Sequence, residues 1–368
     1  MIRPQFENVS ENDGLLSFTL SGVNVSLANA LRRTLISDIQ TVVFKTTPYE
    51  ECKAVIYKNT TRLNNEILKQ RLSCIPIHIT DPDIPLANYL LEVNVENLTD
   101  SVQYVTTADF KVKNLTTNEF LKKEDNDKIF PPNDFTEYYI DFVRLRPKIS
   151  NTILGEKLHL TCEFSYGNAK QDAMFNTTAT CSYGMSVDET AASSELEKQN
   201  QKWKDRDLSK DEIDFENKNW KLLEKMRIVK KDSFDFILQS VGVFSNHDLI
   251  KKACTIIINK LNSLETLIGV EELQVVVSEN TMKNCFDVIL PNEDYTIGKI
   301  LEYMLYTKYF ENAKTLSFCG FIKTHPHDPD SIIRIAFKEP IEKPILYDCL
   351  KHCIKELVDA FQIIQDKF

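Results

Sequence analysis

The chain has 368 residues, a hydrophobic content of 42% and a formal net charge of −10. That length is too great for one ordinary core and suits two or three domains. The acidity excludes a chain that binds nucleic acid over its whole surface, because phosphate contacts need clustered Lys and Arg, although a local basic patch stays open.

Taken in order, the first regular element is a strand marked by alternating Leu16, Phe18 and Leu20. A helix follows through Ser26, Leu27, Leu31 and Leu35. Its apolar positions are four apart, and Ser26 is expected to cap the first free amides. The run Thr41-Val42-Val43-Phe44 reads as a strand. From about Cys52 to Lys230 the pattern changes. Alternating segments (Tyr89 to Val95; Lys157 to Cys162) are broken by polar loops, with prolines at 82, 85, 131, 132 and 147, and this predicts a mostly β domain. Its last part, Asp188 to Met226, is heavily charged and poor in apolar residues. It is expected to be a solvated helix or a partly disordered loop.

Regular structure resumes with a strand over Phe234–Ser240 and a helix from about Asn246 to Ile268, striped by Ile257, Leu261 and Leu264. Another strand carries Phe286, Val288 and Leu290, and a helix follows through Thr296, Ile297, Leu301 and Leu305. Ser331–Phe337 is a further strand. Pro344 suits the first turn of the closing helix, whose seam holds Leu350, Leu357, Phe361 and Ile364.

Two of these stretches are copies of one design. Val23–Leu35 aligns without a gap on Glu293–Leu305, so that Ser26 falls on Thr296, Leu27 on Ile297, Ala28 on Gly298, Leu31 on Leu301 and Leu35 on Leu305. Each half of the chain is strand, helix, strand, strand, helix, with the β domain inserted into the first. The expected fold class is α+β, with the copies pairing internally about a pseudo-twofold axis, as a homodimer pairs identical units. The boundaries are 1–51 plus 231–268 for the first unit, 52–230 for the inserted domain with its charged loop 188–226, and 269–368 for the second unit. Gly298 is expected to let another part of the chain approach closely.

The run Asn24–Asp38, centred on Asn29-Ala30-Leu31-Arg32-Arg33-Thr34-Leu35, closely resembles the signature of the α-type assembly subunits of multisubunit RNA polymerases. These are bacterial α, archaeal D and the third subunit of eukaryotic RNA polymerase II. A second similarity lies at Asn59–Ile77, a helix ending in Arg71-Leu72 before a Pro-containing apolar strand. The C-terminal half resembles the smaller partner, archaeal L or the eleventh eukaryotic subunit, through Tyr295-Thr296-Ile297-Gly298, His325-Pro326 and Ile332-Ile333-Arg334-Ile335. A fusion of the two resembles the polymerase subunit of large nucleocytoplasmic DNA viruses. The resemblance implies D/L-type dimerisation units and a non-catalytic scaffold that holds the two largest subunits. The magnesium-dependent nucleotidyl transfer is then theirs, and DNA is met only through the complex. It also implies that Asn29, Arg32, Arg33, Arg62, Glu66 and Arg71, with Lys299, Glu302 and Tyr303 in the second copy, face the large subunits. The internal seam is assigned to Leu27, Leu31, Leu35, Ile257, Leu261, Leu264, Ile297, Leu301, Leu305, Leu350, Leu357, Phe361 and Ile364.

The chain departs from the resemblance in one respect. Many α-like subunits carry a cysteine cluster in the inserted domain, whereas Cys74, Cys162 and Cys181 are isolated and no Cys-x-x-Cys pair occurs. No bound zinc, iron–sulfur cluster or other cofactor is expected. His325-Pro326-His327-Asp328 and Asp81-Pro82-Asp83 read as turns rather than metal sites. Cys349 and Cys353 read as core, and His352 shares their helix. No apolar run reaches membrane-spanning length, Met1 to Gln5 does not open a signal peptide, and nine scattered cysteines fit reduced thiols. The expected setting is therefore intracellular, a host cytoplasm or viral factory, with virion packaging left open. The expected partners are polymerase subunits, with the chain itself a monomer. Two other classes compete: an internally duplicated adaptor outside transcription, and a metal-dependent nucleotide enzyme. No phosphate loop or nucleophile motif supports the latter.

Overall fold

The computed structural model describes residues 2–81, 83–150, 152, 154–206, 208–279 and 281–368. Among the described residues the α-helices are α1 (Val25–Ser37), α2 (Asn65–Ser73), α3 (Lys123–Ile129), α4 (Glu189–Asp205), α5 (Lys210–Leu222), α6 (Asn246–Gly269), α7 (Tyr295–Leu305) and α8 (Lys343–Lys367). With the strands they make a mixed, α+β chain of two compact units. One comprises Met1–Leu35, Thr180–Gln239 and Asn246–Phe368, and the other Ile36–Ala179 and Ser240–Ser245.

The first unit holds two four-stranded sheets. In one, the order is Gln5–Asn12, Leu15–Ser21, Val229–Ser240, Thr178–Val187. In the other it is Val275–Val277, Cys285–Leu290, Ser331–Phe337, Leu316–Ile322. Alternation puts one face of each central strand in the core. Leu16, Phe18 and Leu20 pair with Leu238, Phe236 and Phe234, and all six are buried. The Phe18 and Phe236 rings stack at 5.0 Å. In the second sheet Phe286 and Val288 oppose Ile335 and Ile333 in the same way. Each such side chain contributes about 1.5–3 kcal/mol by leaving water. The long helices α6 and α8 pack on each other. Their stripes at three- and four-residue spacing are buried while Lys251, Lys355 and Gln362 stay outside.

The charged segment 188–226 belongs to this same unit and forms a helical hairpin of α4 and α5, followed by a short 3-10 turn. The sequence places it at the end of the 52–230 insert. In the structure it leaves the strand Thr178–Val187 and returns as its neighbour Val229–Ser240. Both helices are capped: Asp188 accepts from the Ala191 amide, and Ser209 forms a capping box with Glu212.

The second unit is mostly β. Its five-stranded sheet runs Ala54–Asn59, Lys157–Glu163, Tyr89–Glu96, Lys111–Asn114, Glu119–Phe120, and two ribbons pair Gln103–Thr106 with Asp141–Leu145 and Ser165–Gly167 with Thr41–Val43. Its core centres on Phe110, whose ring meets Phe130 and Phe142 edge-on at 5.4 and 5.3 Å. The buried Asn126 amide stitches that core, donating to Phe110 O at 2.7 Å and accepting from Val112 N at 3.2 Å.

Candidate functional site

The duplicated helices start alike. After the strand Leu15–Ser21 the chain turns at Gly22, whose φ of +73° and approach to Arg3 O (2.3 Å from where a Cβ would sit) leave room for no other residue. Asn24 Oδ1 then accepts from Ser26 N at 2.9 Å, and Ala28 N donates to Asn24 O at 3.2 Å. In the second copy Asp294 Oδ1 accepts from Thr296 N at 2.8 Å, and Gly298 N donates to Asp294 O at 2.9 Å. The caps are therefore Asn24 and Asp294, aligned positions two residues before the hydroxyls that the sequence favours. The reason is geometric. A short Asx side chain reaches the amide two residues on, so the helix begins early and Ser26 and Thr296 fall inside its first turn.

That displacement sets Thr296 to another use. Arg33 Nε donates to Thr296 Oγ1 at 3.0 Å, and Arg33 Nη2 donates to Asp294 Oδ2 at 3.3 Å. An arginine of the first copy thus grips the capped end of the second copy's helix, where the carboxylate also complements the helix dipole. Sequence inspection misses Asp294 and Thr296 as partners because they lie more than 260 positions from Arg33. The outer faces repeat a further motif with altered chemistry. Arg32 Nε and Nη2 both donate to Asn29 Oδ1, at 3.0 and 2.9 Å. At the aligned positions Lys299 Nζ pairs with Glu302 Oε2 at 2.6 Å, and Glu302 Oε1 also accepts from Phe321 N at 3.1 Å. Tyr303, half-buried beside them, has its hydroxyl pushed up by burial. Gly298 lies against the Phe321 ring, where a Cβ would come within 1.9 Å.

The residues assigned to the internal seam are all buried. Leu27, Leu31, Leu35, Ile257, Leu261, Leu264, Ile297, Leu301, Leu305, Leu350, Leu357, Phe361 and Ile364 are at most 3% exposed. Gln365 of α8 donates to Thr255 Oγ1 of α6 at 2.7 Å. Phe368 closes over Phe6 and Phe18, both ring pairs at 5.2 Å.

In the second unit, Arg71 at the end of α2 donates through Nε to Phe142 O and through Nη2 to Asp141 O, both at 2.7 Å. Glu66 accepts from the Asn64 amide at 3.4 Å, and Arg62 is exposed.

The profile of the family described as "RNA polymerase Rpb3/Rpb11 dimerisation domain" matches residues 17–261, about two thirds of the chain. The chain belongs to this family. Among curated relatives, the "DNA-directed RNA polymerases I and III subunit rpac1" of Dictyostelium discoideum is 25% identical over 300 residues, covering 71% of this chain and 81% of that protein. "DNA-directed RNA polymerase subunit Rpo3" of Picrophilus torridus is 25% identical over 46% of this chain and 60% of its own length. "DNA-directed RNA polymerases I and III subunit RPAC2" of Danio rerio is 28% identical over 23% of this chain and 77% of its own. The chain spans 52% of a further relative, "Conjugation stage-specific protein" of Tetrahymena thermophila, at 27% identity over 43% of its own length.

Other candidate residues in this dimerisation-family chain are occupied locally. His327 N donates to His325 Nδ1 at 3.1 Å within a turn. Asp81 Oδ1 accepts from Asp83 N at 2.9 Å, while Pro82 between them lies outside the described residues. Cys349 and Cys353 are buried in α8, and His352 Nδ1 lies 3.3 Å from the Tyr309 hydroxyl. Burial pushes the Cys181 thiol up to about 12 and raises that of Cys162 further, so neither is a thiolate at neutral pH. Among the described residues no group of three His, Cys, Asp or Glu gathers for a metal, and no helix is long and apolar enough to cross a membrane.

Proposed function

We propose that the chain is a non-catalytic assembly subunit of a multisubunit DNA-directed RNA polymerase, in which a D-type and an L-type unit are fused and pair internally. The observation that carries this is the grip of Arg33 on the Asp294–Thr296 cap, which joins the two copies inside one compact unit of a chain from a dimerisation-domain family. The mixed naming of its relatives, rpac1 and RPAC2, supports the fusion. In this reading the segment 52–230, whose last part 188–226 packs with the first unit, is inserted into a first unit of 1–51 plus 231–268, and 269–368 is the second unit. The faces at Asn29 and Arg32 and at Lys299, Glu302 and Tyr303, with Arg62, Glu66 and Arg71, dock the largest and second-largest subunits and other small subunits, while Arg33, assigned by sequence to the same face, has its guanidinium engaged by Asp294 and Thr296. Opposite chemistry at aligned positions, Asn29–Arg32 against Lys299–Glu302, suits two different partner surfaces. Magnesium chemistry stays with the large subunits, and DNA is reached only through them. The fused arrangement resembles that of large DNA viruses, and in this reading the work is done in a host cytoplasm or viral factory, on viral genes.

The test is affinity purification of the tagged chain from its native source. Both large polymerase subunits should accompany it in stoichiometric amount, and recovery with a stable set of partners that contains neither overturns the proposal. Sedimentation of the isolated chain should give a monomer, and elemental analysis no stoichiometric zinc or iron. An obligate dimer, or a full equivalent of metal, would contradict those parts.

A further inference from the structure

A groove of about 700 Å³ in the second unit is lined by four arginines, Arg62, Arg71, Arg144 and Arg146, against two carboxylates, Asp141 and Glu156. In a chain of net charge −10 this is a concentration of the opposite sign. The arginines are not equivalent. Arg146 is neutralised, since its Nε and Glu156 Oε1 lie 2.5 Å apart. Arg71 is held by the carbonyls of Asp141 and Phe142, which fixes its fork but leaves its charge uncompensated. Arg62 and Arg144 are exposed and meet no anion among the described residues. Arg144 lies over the Tyr104 ring, 6.0 Å from guanidinium carbon to centroid, and a stacked guanidinium keeps its in-plane N–H donors available. Val102 and Tyr104, each about half exposed, add an apolar wall.

We infer that this groove binds an acidic segment of a partner polypeptide, with its carboxylates on Arg62, Arg71 and Arg144 and an apolar side chain against Val102 and Tyr104. Recognition runs through side chains, with the fork of Arg71 already fixed by the carbonyls of Asp141 and Phe142. A nucleic acid fits less well. Arg144 lies over a face of the Tyr104 ring on which a base would stack. The inference rests on the assembly-subunit proposal insofar as Arg62 and Arg71 belong to its partner-facing surface.

The experiment measures fluorescence anisotropy of a labelled short peptide of Asp, Glu and Leu titrated with the full chain. Arg62→Ala/Arg144→Ala is the principal variant, since both side chains are exposed. Lys198→Ala, in α4, is the control. The double variant should weaken binding about tenfold or more, the control should not, and added salt should weaken the wild type. Equal binding by the double variant overturns the inference. So does equal binding of the Asn/Gln counterpart peptide, or tighter arginine-dependent binding of a single-stranded oligonucleotide. Co-purification with polymerase subunits is read separately on the unaltered chain, so failure there sinks the scaffold proposal and leaves the peptide result standing.

Discussion

Arg33→Ala combined with Thr296→Val in a double-mutant cycle isolates the contact that joins the two copies. Valine keeps the volume of the buried threonine and its backbone amide, so the Asp294 cap survives and only the acceptor oxygen is lost. The Arg33 Nε to Thr296 Oγ1 bond measures 3.0 Å. A hydrogen bond from a charged donor contributes about 1.5–3 kcal/mol when shielded, and exposed ion pairs only about 0.2–1 kcal/mol. The Arg33 side chain is 38% exposed while Thr296 is buried, which sets the expected coupling between these limits, at about 0.5–1.5 kcal/mol. Other contacts of Arg33 cancel in the cycle. Both tryptophans of the chain, Trp203 and Trp220, lie in the unit that holds this contact, so urea unfolding followed by tryptophan fluorescence reports on it selectively. A coupling below about 0.3 kcal/mol would refute the role given to the contact.

Arg32→Ala should leave stability within about 0.5 kcal/mol, because among the described residues the side chain of Arg32 bonds Asn29 of its own helix, while capture of a large subunit in a pull-down drops markedly. Gly298→Ala should cost about 1–3 kcal/mol by driving a methyl into the Phe321 ring, and Phe321→Leu should recover part of the loss in thermal melting. The bidentate hydrogen bonds of Arg334 hold the Asp287 carboxyl below its usual range, against an opposing effect of burial and with help from Ser278. A depressed folded-state value adds stability that is present above the unfolded-state value of about 3.9 and is lost as pH falls through the folded one. Asp287→Asn should therefore lower stability at neutral pH and flatten the acid limb of a stability–pH curve.

Periodicity made much of this architecture legible. Leu27, Leu31 and Leu35 and their counterparts Ile297, Leu301 and Leu305 announce buried helix faces by spacing alone, and the helix expected from Asn246 to Ile268 runs one residue further. Cap positions were harder, because Asn24 and Ser26 are both good caps by type and only the turn at Gly22 decides between them. The hairpin of α4 and α5 carried a local signal that composition concealed, the Ser209–Glu212 capping box. The Arg33 grip and the arginine groove had no local signal at all. Arg144 comes from a strand more than 80 positions beyond Arg62, and only the tertiary fold sets them in one cleft.

Because Arg33 and Thr296 belong to one polypeptide, their association is a first-order event. Separate subunits obey mass action: dilution parts them, and unequal synthesis leaves orphans with exposed pairing helices. Here the ratio of the two copies is fixed at translation, and the local concentration of each around the other is independent of expression level. The unfolding midpoint of the unit should stay constant as protein concentration varies. Under the proposed internal pairing, a cell making little of this chain would still make it fully paired.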